Sequence, residues 1–160
     1  MNEERSDLLP LRPARPEDRP AIEALVGAAY GHYVARMGRK PMPMVDDYGA
    51  RIAEGEALVL EEGGRLVALL VLEEEPGVLL LDNVAVDPAQ QKRGLGRRLL
   101  AYAEAEARRR GFPAIRLYTS EMMVENIAIY RKLGWTETGR SSEHGIRRVN
   151  FRKDFGGEGS

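Results

Sequence analysis

The sequence predicts an α/β (α+β) fold, in which a mixed, mostly antiparallel sheet of six or seven strands has helices on both faces. Three observations predict it: helical stripes of apolar residues, glycine-containing hairpin turns between short apolar runs, and helical crossovers after the hairpins. The expected order of elements is β-α-α-β-β-β-α-β-α-β-β. The chain has 160 residues, 43% hydrophobic and 31% charged, which suits one globular domain over residues 1–160. We expect residues 1–7 and 156–160 to fray, because they have little apolar surface to bury.

The first third of the chain is expected to form one short strand and two helices. Leu8, Leu9 and Leu11 form an apolar run typical of a strand. Proline and acidic residues at 16–18 are typical of a helix start. One apolar stripe at helical spacing follows: Ile22, Leu25, Val26, Ala29, Tyr30 and Tyr33. Two prolines within residues 38–44 end this helix, and a second, short helix is expected from about Val45 to Ala53.

Three strands should follow, over residues 57–60, 66–72 and 78–86, because turns containing glycine separate three apolar runs. The third run, VLLLDNVAV, is apolar enough for a central strand. A helix over residues 96–110 should end at Gly111, because Pro113 prevents its return. A strand over 115–118, a helix over 125–133 and an antiparallel pair over 135–139 and 147–152 complete the chain.

Composition excludes several classes of function. The formal net charge of −1 gives no bulk attraction to nucleic acid or to an anionic membrane, so neither is expected as a partner. The absence of cysteine excludes disulfides, thiolate metal sites and cysteine nucleophiles, and His32 and His144 alone cannot form a histidine metal site, so no metal is expected. No apolar run approaches the ~20 residues of a membrane span. The amino-terminal residues lack the apolar core of a signal peptide, which makes a soluble cytoplasmic protein the simplest interpretation.

The segment that carries chemistry is the glycine loop, Gln91–Gly96, which joins the third strand to a helix. Free amides and the dipole at a helix start attract anions, and glycines allow a bulky anion to approach closely. Lys92, Arg93 and Arg97 add positive charge, so the loop is suited to a pyrophosphate. It matches neither the P-loop nor the dinucleotide pattern GxGxxG, whose third glycine would fall at Leu99. A two-glycine loop that merely starts a helix is the alternative.

Two segments together resemble one family. Gln-x-x-Gly-x-Gly, preceded by Val84-Ala85-Val86-Asp87-Pro88, resembles the signature of the GNAT superfamily of acyl-CoA-dependent N-acetyltransferases. Residues 125–135, ENIAIYRKLGW, are similar to the family's Asn…Ala…Tyr-x-Lys-x-Gly-Phe segment. There are two departures. The family often has asparagine seven residues before the tyrosine, where this chain has Met123 and instead carries Asn126, and Trp135 replaces the common phenylalanine.

The resemblance implies a GNAT-like sheet, acetyl-CoA as cosubstrate and a set of binding residues. The residues implied to hold the CoA phosphates are Gln91, Lys92, Arg93, Gly94, Gly96 and Arg97. The main chain of Val84 and Val86 would pair with the pantetheine arm, and Asn126 would reach that arm from a helix start.

The implied reaction is direct attack by a primary amine, with Tyr130 protonating the leaving CoA thiolate. A tyrosine of ordinary pKa is protonated at neutral pH and can give a proton, although a tyrosine that only packs a helix is the alternative. A backbone amide near Val84 would stabilise the oxyanion. Glu121 is the favoured general base because it follows a strand end. Asp47, Glu74, Asp82 and Glu125 are of the same type, and a water chain is a further option.

The acceptor is expected to be the amine of a small molecule or of a protein. The candidate acceptor-binding residues are Tyr33, Arg36, Asn83 and Tyr118, each of which could equally be core or surface. Pairing of the terminal strands between chains would give a homodimer. A non-catalytic acyl-CoA-binding module or sensor is the alternative function, and a structural domain without CoA is a third.

Overall fold

The computed structural model describes residues 8–143 and 145–156, and within these the side chains of Gln91 and Lys92 are outside the described part. The fraying expected for residues 1–7 and 157–160, and the surface position expected for His144, therefore lie outside the described residues. In the described part, the helices are α1 (Arg19–Tyr30), α2 (Tyr33–Met37), α3 (Tyr48–Ala53), α4 (Leu95–Arg109) and α5 (Val124–Lys132). The strands are β1 (Arg12–Pro13), β2 (Ala57–Glu62), β3 (Arg65–Glu75), β4 (Val78–Val86), β5 (Ala114–Ser120), β6 (Thr136–Glu143) and β7 (Ile146–Asp154).

The strands form one seven-stranded sheet in the order β1-β2-β3-β4-β5-β7-β6. The pairs β1–β2, β2–β3, β5–β7 and β6–β7 are antiparallel, and β4–β5 is parallel. The parallel pair follows from the helical crossover α4, because parallel neighbours cannot be joined by a tight turn. The predicted fold class, a mixed and mostly antiparallel α/β sheet of six or seven strands, is confirmed.

Two local features differ from the sequence prediction. The first strand is Arg12–Pro13 rather than the leucine run before it, because Leu11 N donates to Leu9 O at 2.9 Å in a tight turn that takes both residues out of the sheet. The helix expected to run to Tyr33 is interrupted after Tyr30 and continues as α2. Glycine at positions 27 and 31 lowers the helix propensity here.

The described chain divides into two compact units. Unit 1 contains the described residues as far as Leu72 together with Asn83–Ala105, and unit 2 contains Glu73–Asp82 together with the described residues from Glu106 onward. The single domain expected from the sequence stays a prediction. None of the described helices is long and apolar enough to cross a membrane.

The core of unit 1 forms where α1 and α3 pack against β2, β3 and the end of β4. The buried side chains of this core are Ile22, Leu25, Val26, Ala29, Tyr48, Ala57, Val59, Leu69, Val71 and Ala85. The buried residues of α1 recur at helical spacing, whereas those of the strands occupy alternate positions. Each element therefore buries the face set by its own periodicity. This packing fixes the second half of β4, on which the candidate site depends.

The core of unit 2 follows from the register of three strands. Leu81 pairs with Leu117, and Leu117 pairs with Phe151, so apolar side chains line up across β4, β5 and β7. Ile127 of α5 is also buried. The Tyr130 ring centroid lies 5.6 Å from that of Phe151, so the last turn of α5 packs on β7.

Candidate active site

Strand β4 changes its surroundings at Asp82. The residues Val78–Leu81 are all buried, whereas buried and half-buried residues alternate from Asp82 to Val86. Alternate side chains of a strand point to opposite faces. Asp82, Val84 and Val86 therefore share a half-buried face, and β4 is covered on both faces only over its first half.

The opposite, buried face of β4 is anchored by two tyrosines. Asn83, which is 3% exposed, donates from Nδ2 to Tyr48 Oη at 2.9 Å. Tyr30 Oη lies 2.7 Å from Asn83 Oδ1 and 2.9 Å from Val84 O, and its single proton can be donated to either oxygen. This network attaches β4 to α1 and α3.

The glycine loop forms the turn that begins α4. A 3₁₀-helix over Pro88–Arg93 is capped by Asp87, which accepts from Ala89 N at 3.0 Å, and Gly94 follows with φ of 75°. The first helical bond of α4 runs from Arg98 N to Gly94 O, at 3.2 Å. The amides of residues 95–97 precede that bond and so have no acceptor within the helix.

Space around the two glycines is open. Apart from its chain neighbours and the backbone of its own helix, a Cβ added at Gly94 or at Gly96 would meet no heavy atom within 4 Å. Gly94 requires glycine for its left-handed backbone, because positive φ disfavours residues with a side chain. Gly96 has no such requirement, so its missing side chain instead leaves the helix start accessible.

Positive charge surrounds this helix start. The exposed Arg93 donates from Nη1 and Nη2 to Glu62, at 2.7 and 3.0 Å, and from Nη1 to Gln90 Oε1 at 2.8 Å. The hydrogen bonds to Glu62 raise the pKa of Arg93. Arg97 is exposed in the first turn of α4. The side chains of Gln91 and Lys92, which the sequence also assigns to phosphate binding, lie outside the described residues.

Unit 2 holds Tyr130, the predicted proton donor, and Asn126, the remaining residue predicted to bind CoA. Tyr130 is half-buried in α5, with its ring edge-on to that of Trp135 at 6.2 Å between centroids. Asn126 lies in the first turn of α5, where its Nδ2 is 3.7 Å from Met123 Sδ. Both residues are therefore positioned by α5, and Asn126 also contacts its amino-terminal cap, Met123.

Glu121 lies in an ion-pair network. Its Oε2 is 3.2 Å from Arg147 Nε and 3.6 Å from an Arg140 guanidinium nitrogen, and its backbone amide donates to Arg147 O at 3.0 Å. These contacts tie the end of β5 to the β6–β7 hairpin. The role of general base expected for Glu121 stays a prediction.

Tyr118 connects three strands. Its hydroxyl donates to Asp82 Oδ1 at 3.0 Å, and the Cζ of Arg148 lies 3.8 Å from the centroid of its ring. A guanidinium group over an aromatic face is attracted by the ring quadrupole. Tyr118 is thus held by Asp82 on β4 through its hydroxyl and by Arg148 on β7 through the face of its ring.

The other predicted acceptor residues belong to α2. Tyr33 is 6% exposed, and its ring centroid is 4.0 Å from that of His32. Arg36 is exposed and its Cζ lies 5.1 Å from the Tyr33 centroid. The structure therefore brings these two predicted residues together. Among residues 8–143 and 145–156, no three His, Cys, Asp or Glu side chains are grouped as metal ligands.

Comparison with known proteins identifies the family. Residues 22–135 match the model of the acetyltransferase (GNAT) family, which is more than half of the chain. The chain belongs to the acetyltransferase (GNAT) family.

Curated relatives share about a third of their aligned residues with this chain. The [ribosomal protein bS18]-alanine N-acetyltransferase of Escherichia coli K12 is 33% identical over 78 residues, which cover 49% of this chain and 53% of the relative. The IAA acetyltransferase of Azospirillum brasilense is 32% identical over 90 residues, covering 55% and 59%. The chain thus spans about half the length of the curated relatives that it matches.

Solved structures share the fold over nearly the whole chain. A PaiA N-acetyltransferase from Thermoplasma acidophilum, in complex with coenzyme A, has a TM-score of 0.76 at 14% identity, covering 91% of this chain and 98% of that one. The E. coli ribosomal-protein-S18-alanine N-acetyltransferase has a TM-score of 0.71 at 21% identity, covering 90% and 92%. A Salmonella typhimurium acetyltransferase solved with its cofactor acetyl-CoA has a TM-score of 0.69 at 23% identity, covering 92% and 94%.

The loop of this GNAT chain has the properties that a CoA pyrophosphate requires. Helix-start amides with no acceptor within α4, a glycine whose added Cβ would meet no atom beyond its chain neighbours and its own helix, and the guanidinium of Arg93 lie together in unit 1. Backbone amides at a helix start and guanidinium groups both bind phosphate oxygens. The residues present therefore fit the phosphate portion of CoA.

Two side-chain contacts in this GNAT chain were not predicted from the sequence. Glu62 bonds Arg93, and Asp82 bonds Tyr118, across 31 and 36 residues of chain. The two-residue period of a strand is a signal that could have placed Asp82 beside Val84 on one face. No local signal identifies Glu62 as the partner of Arg93.

Proposed function

We propose that this protein is an acetyl-CoA-dependent N-acetyltransferase that acts on a primary amine of a small molecule or a protein. Family membership supports the reaction class. The acceptor classes follow the names of the relatives, one of which acts on a ribosomal protein and another on IAA. Bound acetyl-CoA would supply an activated acetyl group as a thioester.

The glycine loop would hold the phosphates. In this proposal the amides of residues 95–97 donate to pyrophosphate oxygens, and the helix dipole adds favourable potential. Lys92, Arg93 and Arg97 contribute charge, Gln91 is a further proposed phosphate contact, and Gly94 and Gly96 keep the approach open. The main chain of Val84 and Val86 pairs with the pantetheine arm, which Asn126 also contacts.

Tyr130 would give its phenolic proton to the leaving sulfur. A tyrosine suits this role because its ordinary pKa of about 10 keeps it protonated at neutral pH. The oxyanion formed during attack would be stabilised by a backbone amide near Val84. On the acceptor side, Tyr33, Arg36, Asn83 and Tyr118 are the proposed contacts.

The observation that carries the proposal is the helix start at Gly94–Arg97, with amides that have no acceptor within α4 and with its unfilled glycine positions. The test is incubation of the protein with acetyl-CoA and a panel of primary amines, while release of the free CoA thiol is followed. We expect release to exceed the enzyme-free control for at least one class of amine. Release at the control rate across the whole panel would contradict the proposal.

A homodimer is proposed through the terminal hairpin. Strand β6 lies at one end of the strand order, and seven of its eight residues are exposed. An edge strand of this kind presents unpaired backbone groups to a second chain. Light scattering after size exclusion should give twice the monomer mass of 17.8 kDa, and a monomer mass at micromolar concentration would contradict the dimer.

A further inference from the structure

We infer that Tyr30 is a positioning residue, which holds the backbone at Val84 so that the Val84 amide is directed at the oxygen of the thioester, and that Asn83 orients the Tyr30 hydroxyl. This inference rests on the proposed acetyltransferase function, in which a backbone amide near Val84 stabilises the oxyanion. The direction of such an amide matters, because a donor aimed in advance at the developing charge need not reorganise during the reaction. The family resemblance implies the amide, but it does not say what holds the amide in this chain.

The Tyr30 hydroxyl bonds β4 on both sides of the Val84 amide. Its oxygen lies 2.7 Å from Asn83 Oδ1 and 2.9 Å from Val84 O. Asn83 precedes the Val84 nitrogen in the chain, and the Val84 carbonyl follows it. One phenol oxygen therefore restrains the backbone before and after this N–H. All of these groups belong to unit 1.

The carbonyl of Pro43 sets the direction of the hydrogen bonds in this network. A carbonyl oxygen can only accept, so Tyr48 Oη donates to Pro43 O. The same Tyr48 oxygen accepts from Asn83 Nδ2 at 2.9 Å, which turns Asn83 Oδ1 toward Tyr30. Both atoms that Tyr30 Oη reaches on β4 are then acceptors, so the Tyr30 hydroxyl is the donor to both, as in a three-centre hydrogen bond.

The Val84 amide opens on the same edge of β4 as the carbonyl that Tyr30 bonds. In an extended strand the N–H and C=O of one residue point to one edge, and those of the next residue point to the other edge. Asp87 N donates to Val67 O on β3 at 2.9 Å. Since Asp87 lies three residues after Val84, the Val84 N–H and C=O both point away from β3. Tyr30 Oη therefore acts on the edge of β4 on which the proposed oxyanion donor lies.

Burial protects the network from exchange with water. Asn83 is 3% exposed and Tyr48 is 1% exposed. Tyr30, the last residue of α1, is half-buried and packs against the core of unit 1. A buried polar group that loses its partner is costly, so these bonds persist in the folded state. The Val84 amide is thus attached to the core of the unit through side chains of α1 and α3.

The two tyrosines that bond Asn83 can be told apart by their second contacts. Tyr48 Oη bonds Pro43 O, whereas Tyr30 Oη bonds Val84 O. Tyr48→Phe and Tyr30→Phe each remove one hydroxyl from the same asparagine. Tyr48→Phe leaves the bond between Tyr30 and the Val84 carbonyl in place, whereas Tyr30→Phe removes it. The pair of variants therefore separates a general weakening of the network from a loss of control over Val84.

Tyr30 transfers no proton in the reaction. Attack by the neutral amine forms the C–N bond and places the carbonyl electron pair on oxygen, to which the Val84 N–H donates. The pair returns as the C–S bond breaks, and the sulfur takes a proton from Tyr130. The nitrogen proton passes to the medium, from which Tyr130 is reprotonated. A misdirected Val84 amide should therefore slow acyl transfer without weakening the proposed phosphate contacts at the start of α4.

The test measures kcat, acetyl-CoA affinity and Tm in the two variants. Tyr30→Phe should lower kcat by about 10–100-fold, because a displacement of about 1 Å at a reacting centre costs up to about 10²-fold. Its affinity for acetyl-CoA, measured by calorimetry, should stay within about twofold of the wild type. Tyr48→Phe should lower kcat by at most about threefold. It should lower Tm by more than Tyr30→Phe does, because Tyr48 is the more deeply buried of the two. The order of the kcat losses should thus be opposite to the order of the Tm losses.

Infrared spectroscopy reports on the amide directly. With acetyl-CoA labelled with ¹³C at the carbonyl and no amine present, the carbonyl stretch should lie at lower wavenumber on the wild-type protein than in solution, because a hydrogen bond weakens the C=O bond. In Tyr30→Phe the stretch should return toward its solution value.

Three results would overturn the inference. They are a kcat for Tyr30→Phe within about threefold of the wild type, kcat losses that follow the Tm losses, and a wild-type carbonyl stretch at the solution value. The last result applies even if Tyr30→Phe does not fold. Failure of the proposed function would differ, because the wild-type protein itself would neither bind acetyl-CoA nor release thiol.

Discussion

Arg93 and Glu62 form a two-pronged ion pair beside the glycine loop. Arg93 Nη1 donates to Glu62 Oε1 at 2.7 Å, and Nη2 donates to Oε2 at 3.0 Å. A guanidinium group binds phosphate with the same two-pronged geometry. Glu62 therefore engages the same guanidinium donors of Arg93 that are proposed to bind a CoA phosphate.

The first prediction follows from this competition. Glu62→Gln should increase the affinity for acetyl-CoA by up to about fivefold, an effect of the size expected for an exposed ion pair. Glu61→Gln removes the same charge one residue earlier, from a carboxylate that pairs with Arg12 instead. Calorimetric titration of both variants separates release of Arg93 from a general loss of negative charge. Equal gains in the two variants would contradict the competition.

The two loop glycines should respond in opposite ways to alanine. Gly94→Ala should destabilise the fold by about 1–2 kcal/mol, because its φ of 75° is left-handed. Gly96→Ala should stabilise the fold by about 0.5–1 kcal/mol, since alanine is the better helix former and its methyl meets no atom beyond its chain neighbours and its own helix. Urea unfolding measures both changes.

The affinity for acetyl-CoA should not parallel the stability of these two variants. Gly96→Ala should weaken acetyl-CoA binding by tenfold or more even though the variant is more stable, because the new methyl lies among the open amides. A stabilised Gly96→Ala variant that binds acetyl-CoA as tightly as the wild type would show that the helix start is not the phosphate site.

Tyr130→Phe should separate catalysis from binding. The variant keeps the aromatic contacts with Trp135 and Phe151, so we expect little change in folding. Loss of the proton donor should lower kcat by about 10²–10⁴-fold with the acetyl-CoA affinity unchanged within twofold. Thiol release and calorimetry give the two numbers. A non-catalytic CoA-binding module would show no turnover in the wild type, and unchanged turnover in the variant would exclude Tyr130 as the acid.

Glu106 should contribute to acid sensitivity. Hydrogen bonds from Arg109, and then from Arg110, lower the pKa of Glu106 from 4.5 to about 2. A carboxyl group whose pKa is lower in the folded state stabilises the fold above its unfolded pKa, and that stability is lost as the pH falls from about 4.5 toward 2. Glu106→Gln should lower Tm by about 2–4 °C at pH 7 and by less at pH 3.

The control for this pH dependence is Glu23→Gln, which removes a carboxylate from an exposed pair with Arg19. That variant should have a Tm within about 1 °C of the wild type at pH 7, because exposed pairs contribute little. Scanning calorimetry at the two pH values gives the comparison. A Glu106→Gln variant whose Tm runs parallel to that of the wild type across this range would contradict the role of Glu106.

The features that could be predicted from the sequence were those with local signals. Gly94 and Gly96 after an apolar strand indicate a loop and helix start, and the stripe from Ile22 onward indicates α1, because both patterns depend on residues close together in the chain. The first strand was misplaced because the turn at Leu9–Leu11, and not apolar character, decides which residues pair with β2.

The contacts that could not be predicted depend on sheet register. Asp82 meets Tyr118 because Leu81 pairs with Leu117, and a shift of one residue would send the side chain to the opposite face. Asn83 meets Tyr30 and Tyr48 only after α1 and α3 have packed on β4. Residue type alone could therefore nominate Asp82 and Asn83 but could not assign their partners.

Calorimetric titration of acetyl-CoA tests the central claim, that the helix start of α4 binds CoA. It should be carried out on the wild type and on Gly96→Glu, which places a carboxylate at the open amides without imposing a positive φ. We expect one site of micromolar affinity in the wild type and no saturable binding in the variant, with both proteins folded. Absence of binding to the wild type, or equal binding to the two proteins, would contradict it.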